Sequence, residues 1–292
     1  MTHKLKLYLG TGQLGRLGDP VKKKKQLEII QKKTKFEAGI HISPTYGKSF
    51  AYLKGIDLEK FIHPPIVKID FSDVSHPIFQ LQLVQRLLKN SFYQVQIAGD
   101  LRNNSDYNLS PQKFLDKLSY LKNHFNILGF YLTIYFHDKI ESLNNILSSN
   151  MLFGVAIHHS LVELEAHNKI IKKIKQLNKN IISLRVFGES LDNYGNWFSE
   201  YCSEEKPKSI LDDQIKNLDK LLFKYNIKSA EARLIYAMNN DISDIAIITL
   251  SNEDQVFELT RILEKKFQNS LIKDLIKYNL KFTNKNRRGF GF

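Results

Sequence analysis

The stretch Gly39-Ile40-His41-Ile42-Ser43-Pro44-Thr45-Tyr46-Gly47, followed by Pro65-Ile66-Val67-Lys68, decides how this chain is read. Each is a short apolar run bounded by turn residues. A tyrosine follows the first run and a lysine lies inside the second. If the two runs are neighbouring strands of a parallel barrel, both side chains reach one mouth. A lysine ammonium stabilises a nearby phenolate and brings an acid of pKa about 10 towards working range. Tyr46 and Lys68 are therefore candidate catalytic residues. The plainer reading is a loop aromatic and a lysine that caps a strand.

Outward from this pair, β-rich runs alternate with amphipathic ones. The expected strands are Lys4–Gly10, Gly39–Ser43, Ile66–Asp70, Tyr93–Ala98, Leu128–Tyr135, Leu152–His158, Asn180–Phe187 and Asp244–Leu250. Between them, apolar residues recur at spacings of three and four, as in Leu81-Val84-Leu87-Leu88 and Phe114-Leu118-Leu121. That spacing gives each helix one buried face. Eight runs in strict alternation predict an α/β fold, a closed (β/α)8 TIM barrel. An open doubly wound sheet is the alternative, and its Gly-rich fingerprint is weak at Gly10-Thr11-Gly12-Gln13-Leu14-Gly15. The segment Lys206–Asn226 breaks the alternation and predicts an added helix before the eighth strand.

With 292 residues and no Pro/Gly/Ser-rich linker, a single barrel domain over 1–292 is expected, with a tail from about 280. The lone Cys202 excludes an intramolecular disulfide and suits a reducing compartment. No run reaches the length of a membrane span, so a cytoplasmic protein is expected. The net charge of +13 raises the question of nucleic acid. The lysines are spread over helical segments, as at Lys22–Lys25 and Lys169–Lys175, which reads as solvated faces. Nucleic acid is therefore not the expected partner, and a small-molecule substrate is.

Several of these residues together resemble the aldo/keto reductase family. Leu7-Tyr8-Leu9-Gly10-Thr11-Gly12-Gln13-Leu14-Gly15 is similar to its opening strand and turn, especially in bacterial members associated with surface-polysaccharide biosynthesis. Glu37-Ala38-Gly39-Ile40 with Tyr46-Gly47 resembles the second strand and its Tyr-Gly. Ser229-Ala230-Glu231-Ala232-Arg233, Ile245–Leu250 and Asn252–Val256 resemble the last helix, strand and cofactor loop. The resemblance implies NADPH- or NADH-dependent reduction of a carbonyl. Tyr46 would be the proton donor and Lys68 its tuning cation. The family's Asp, five residues before the Tyr, falls on His41, itself a candidate catalytic residue for general acid–base work, and the His ending its fourth strand has no counterpart in Gln96-Ile97-Ala98-Gly99. Gly10, Thr11, Thr249, Ser251 and Gln255 fall on cofactor positions. Of these, Gln255 matches the family, while Thr249 and Ser251 replace a glycine and a basic residue that hold phosphates. The cofactor site thus departs from the family pattern at several positions.

The barrel mouth would gather Asp100, Arg102, His159, Arg185 and Trp197 around a substrate. An arginine grips a carboxylate or phosphate in a bidentate fork. A tryptophan stacks on a sugar or a nicotinamide. His158 and His159 point to opposite faces of one strand, so no shared metal is expected. Three readings stay open: a divergent NAD(P)H-dependent reductase acting on a small polar, sugar-type carbonyl, a cofactor-free enzyme or binder of an anionic molecule, and a non-catalytic scaffold with a protein partner.

Overall fold

The computed structural model describes residues 5–12, 38–54, 61–72, 76–89, 91–98, 110–134, 140–164, 168–187, 206–250 and 253–285. The barrel strands are β1 (Lys6–Gly10), β2 (Ala38–Ile42), β3 (Ile66–Asp70), β4 (Tyr93–Ala98), β5 (Ile127–Thr133), β6 (Leu152–Ser160), β8 (Asn180–Leu184) and β9 (Ile245–Ile248). The two-residue β7 (Glu163–Leu164) folds back antiparallel on the end of β6. Around the ring each of the eight pairs in parallel with its neighbours. The β5–β6 and β1–β9 pairings close it. The expected barrel is the fold observed.

The helices are α1 (Lys48–Ala51), α2 (Pro77–Leu88), α3 (Pro111–His124), α4 (Ile140–Leu147), α5 (Asn168–Gln176), α6 (Lys206–Tyr225), α7 (Ser229–Asn239), α8 (Glu253–Glu264) and α9 (Asn269–Lys285). The added helix expected before the last strand is α6. The tail expected from about residue 280 is helical as far as Lys285, because α9 runs on through it.

Strand alternation sorts the side chains. Ile40, Ile42, Val67, Ile69, Val95 and Ile97 point outwards onto Leu81, Val84 and Leu88 of α2 and Phe114, Leu118 and Leu121 of α3. Tyr8, Ile66, Tyr131, Ala156, Ile182 and Ile247 point inwards and fill the barrel. A Cβ on Gly39 would collide with the Tyr8 ring, and one on Gly129 would lie 2.5 Å from the Phe153 ring, which packs edge-on to Tyr131. Large aromatic rings fit inside because the neighbouring strands carry glycine beside them.

Asp244, at the foot of β9, ties the closing strands together. Its carboxylate takes the Ile181 N–H at 2.7 Å and the Lys175 ammonium at 3.0 Å. Its own N–H donates to Ile181 O at 2.9 Å, and its carbonyl accepts from Lys6 N at 3.0 Å. One residue thereby links β1, β8, β9 and α5.

The sequence reading places His159 at the mouth, and the structure places it elsewhere. Ala156 faces inwards, so His158 does too and His159 faces out. There its Nδ1 lies 2.9 Å from the hydroxyls of Ser183 and Ser243, and its Nε2 lies 2.9 Å from Tyr236 Oη of α7. His159 is a buried polar link between barrel and helices. β6 also runs two residues beyond its expected end at His158. Asn279 of α9 donates to Ser160 O and Leu161 O, both at 2.9 Å, and holds that extension.

Two predictions follow from this packing. Gly39→Ala pushes a methyl into Tyr8 and should destabilise the barrel by about 1–3 kcal/mol, read by chemical denaturation. Burial pushes the His159 imidazole down to about 3. The unfolded chain takes up that proton at about pH 6.5, so it binds more protons than the folded chain between the two values. This contribution should be fully present above about pH 6.5 and lost as pH falls towards about 3. Urea midpoints at about pH 7 and pH 5 should differ less in His159→Gln than in the wild type.

Candidate functional site

Side chains on the inward face near the strand C-termini line the mouth of the barrel, where such folds place their sites. Tyr46 is delivered by a single 3-10 turn, Pro44–Tyr46, that follows β2. Pro44 suits its first position because it has no N–H to satisfy and its φ is already set. Ser43 caps the turn: its Oγ accepts from Thr45 N at 3.2 Å and donates to Lys68 O at 2.7 Å. That second bond fixes the turn carrying Tyr46 to the strand carrying Lys68. Gly47 ends the turn at φ +54, a conformation in which glycine has no Cβ to strain.

Lys68 lies inward on β3, half-buried, with Nζ 5.2 Å from the centre of the Tyr46 ring. This is cation–π range. Burial lowers the lysine's pKa, the Asp70 carboxylate raises it, and Arg185 lowers it again. Arg185 stands exposed at the end of β8 with φ +55, a backbone strain for a non-glycine residue at a barrel mouth.

His41 lies inward on β2, buried, with its ring 6.2 Å from that of Tyr46 at an interplanar angle of 58°. Its Nε2 lies 2.8 Å from Gln96 Oε1, and Gln96 Nε2 donates to Thr133 Oγ1 at 3.0 Å. A polar chain therefore crosses from β2 through β4 to β5. Burial holds the His41 pKa at about 4, the Gln96 bond opposes this, and the Lys68 charge adds to it. The imidazole is neutral at neutral pH, so position 41 contributes no charge where the family resemblance would place a carboxylate.

At the end of β1, the strand next to β2, Thr11 is held by His41 O, which accepts from its N–H at 3.1 Å and its hydroxyl at 3.0 Å. Gly10 faces Thr249 across the β1–β9 seam: a Cβ on Gly10 would lie 2.9 Å from Thr249 Oγ1. A Cβ on Gly12 would lie 3.4 Å from Tyr46 Cζ, so the backbone at Gly12 runs beside the phenol end of the ring.

The structure thus brings Tyr46, Lys68 and His41 together, with Gly10, Thr11 and Thr249 beside them and Arg185 in electrostatic reach. Gln255 is exposed on α8. Asp100, Arg102, Trp197 and Ser251 lie outside the described residues. Gln96 was not anticipated from sequence. The signal for it is register, since it stands opposite Lys68 and points the same way. Among the described residues no group of three or more His, Cys, Asp or Glu side chains is placed to hold a metal, and no helix is long and apolar enough to cross a membrane.

Neither a protein-family model nor any curated protein matches the sequence. Solved structures do match the fold. One is an aldo-keto reductase from Klebsiella pneumoniae in complex with NADPH, at 10% identity and a TM-score of 0.64, covering 95% of each chain. Another is aldo-keto reductase AKR11C1 from Bacillus halodurans in its holo form, at 13% identity and a TM-score of 0.66, covering 94% of this chain and 91% of that one. At such identities the likeness is one of fold: the chain is a (β/α)8 barrel of the aldo/keto reductase type.

Proposed function

We propose that this protein reduces a carbonyl group on a small polar substrate with NADPH or NADH as the hydride source. The observation that carries the reading is the Tyr46–Lys68 pair, with Nζ 5.2 Å from the ring centre at the mouth of this kind of barrel. Both solved relatives described above support it, one by its bound NADPH and one by its holo form. The resemblance of Leu7–Gly15 to surface-polysaccharide members makes sugar-type carbonyls the first substrates to try.

Gly12 places no side chain against the Tyr46 phenol, and Gly10 meets Thr249 at the β1–β9 seam. Gly10, Thr11, Thr249, Ser251 and Gln255 are the residues proposed to hold the nucleotide. When bound, the nucleotide supplies a hydride to the carbonyl carbon. Tyr46 donates its hydroxyl proton to the carbonyl oxygen, leaving an alcohol and a phenolate. Lys68 stabilises the phenolate, which then regains its proton from water. Neutral His41, held by Gln96, is a hydrogen-bonding group beside the reacting oxygen and carries no charge. Arg185, Asp100, Arg102 and Trp197 are proposed to contact the substrate.

Titration with NADPH and NADH, read by nicotinamide fluorescence and thermal shift, tests this. One-site binding with a Kd of order micromolar, and a melting temperature that rises with ligand, is the expected result. Absence of binding at about 1 mM of either nucleotide would favour a cofactor-free use of the mouth. Tyr46→Phe should keep nucleotide affinity within a few-fold and lower kcat by roughly 100- to 10,000-fold. Gly12→Leu should cover the phenol and lower kcat/KM, with the melting temperature of the unliganded protein nearly unchanged.

A further inference from the structure

Lys68 must stay charged to stabilise a phenolate, yet its surroundings work against that. It is half-buried, and Arg185 adds a like charge at the mouth. Its neighbours across the sheet are neutral. The register sets Gln96 opposite it on β4, and His41 on β2 is an uncharged imidazole. Where the family resemblance would place an acid, this chain has none.

Among the described inward-facing strand positions, Asp70 is the one carboxylate. It stands two residues beyond Lys68 on β3, so it shares that face and lies nearer the mouth. Its placement is firmly built. The Asp70 N–H donates to Gln80 Oε1 at 3.1 Å, and Gln80 Nε2 donates back to Asp70 O at 3.1 Å. Gln80 is buried on α2 and grips the peptide of Asp70 as a neighbouring strand would. Asp70 Oδ1 takes the Ser72 N–H at 2.9 Å, which orients the carboxylate.

We propose that Asp70 is the positioning residue that keeps Lys68 protonated, supplying from the same strand the negative charge that position 41 lacks. The inference rests on Tyr46 and Lys68 acting as the catalytic pair. Among the described residues, the charged and titratable groups around Lys68 are Asp70 from its own strand, Arg185 from the end of β8, Tyr46 from the turn after β2, and neutral His41. Of these, Asp70 alone pulls its pKa upwards. Moving the acid from below the lysine to its solvent side also sets a negative charge beside the entering substrate.

Competitive trace acetylation of the full chain, followed by mass spectrometry of the Lys68 peptide from about pH 6 to pH 11, reads the lysine directly and needs neither cofactor nor turnover. Asp70→Asn keeps the oxygen that Ser72 bonds. It should lower the apparent Lys68 pKa by about one unit or more, the usual reach of a close opposite charge. His41→Asn should leave it unchanged, and His41→Asp placed in Asp70→Asn should restore it. Unaltered labelling of Lys179, whose ammonium is held by Ser149 O and Leu152 O, reports an intact fold in the same samples. Wild-type labelling of Lys68 in Asp70→Asn would overturn the proposal. A Lys68 shift with no change in the pH dependence of kcat would keep Asp70 as the lysine's counter-charge and overturn its part in catalysis.

Discussion

The interior of an eight-stranded barrel is a fixed volume, and every inward side chain has to fit it. In this protein two tyrosines, Tyr8 and Tyr131, occupy that volume. They are admitted because Gly39 stands against Tyr8 and Gly129 leaves room for Phe153 beside Tyr131. Gly154 meets the backbone of Asn180 so closely that no Cβ fits between them. Strand number and stagger set the width of the barrel, and the glycines on neighbouring strands make room for the rings within it.

Above the aromatic floor the interior turns polar, and the electrostatics there depend on burial. His41 is neutral because it is fully enclosed and lies near the Lys68 charge, although its bond to the Gln96 amide works the other way. Lys68 is half-buried and sits between an anion and a cation. A buried charge is tolerated only when it is paired and hydrogen-bonded. The turn that carries Tyr46 is held to the Lys68 strand by a side chain, Ser43, whose bond to Lys68 O does not depend on the protonation of either residue. The tyrosine–lysine geometry is therefore decoupled from its chemistry, which suits a site whose members change charge during turnover.

Much of the barrel was legible in the sequence. Ile66–Asp70 and Tyr93–Ala98 were read to the residue, because each alternates cleanly and is bounded by turn residues. β8 stops at Leu184, three residues before its expected end, because Arg185 turns to φ +55 and breaks the ladder. β6 overshoots because the chain doubles back after it, pairing His159 and Ser160 antiparallel with Leu164 and Glu163 of β7. Both causes lie at the strand ends themselves, yet Arg185 and Leu161-Val162 carry none of the Gly, Asn or Asp residues that usually signal a turn.

By itself the sequence determined the alternation of strands and helices, the number of barrel strands, and the presence of a tyrosine and a lysine at adjacent strand ends. These are local properties, set by side-chain period and turn chemistry. Alternation also showed that His158 and His159 face opposite ways. Which of them faces inwards was decided only by the pairing of β6 with its neighbours, since a shift of one residue exchanges the two faces. The tertiary structure alone likewise placed Gln96 opposite Lys68, buried His41 until it lost its proton, and clamped Asp70 through Gln80. Each is a contact between residues distant in the chain, and its energy depends on burial, which exists only once the barrel has closed.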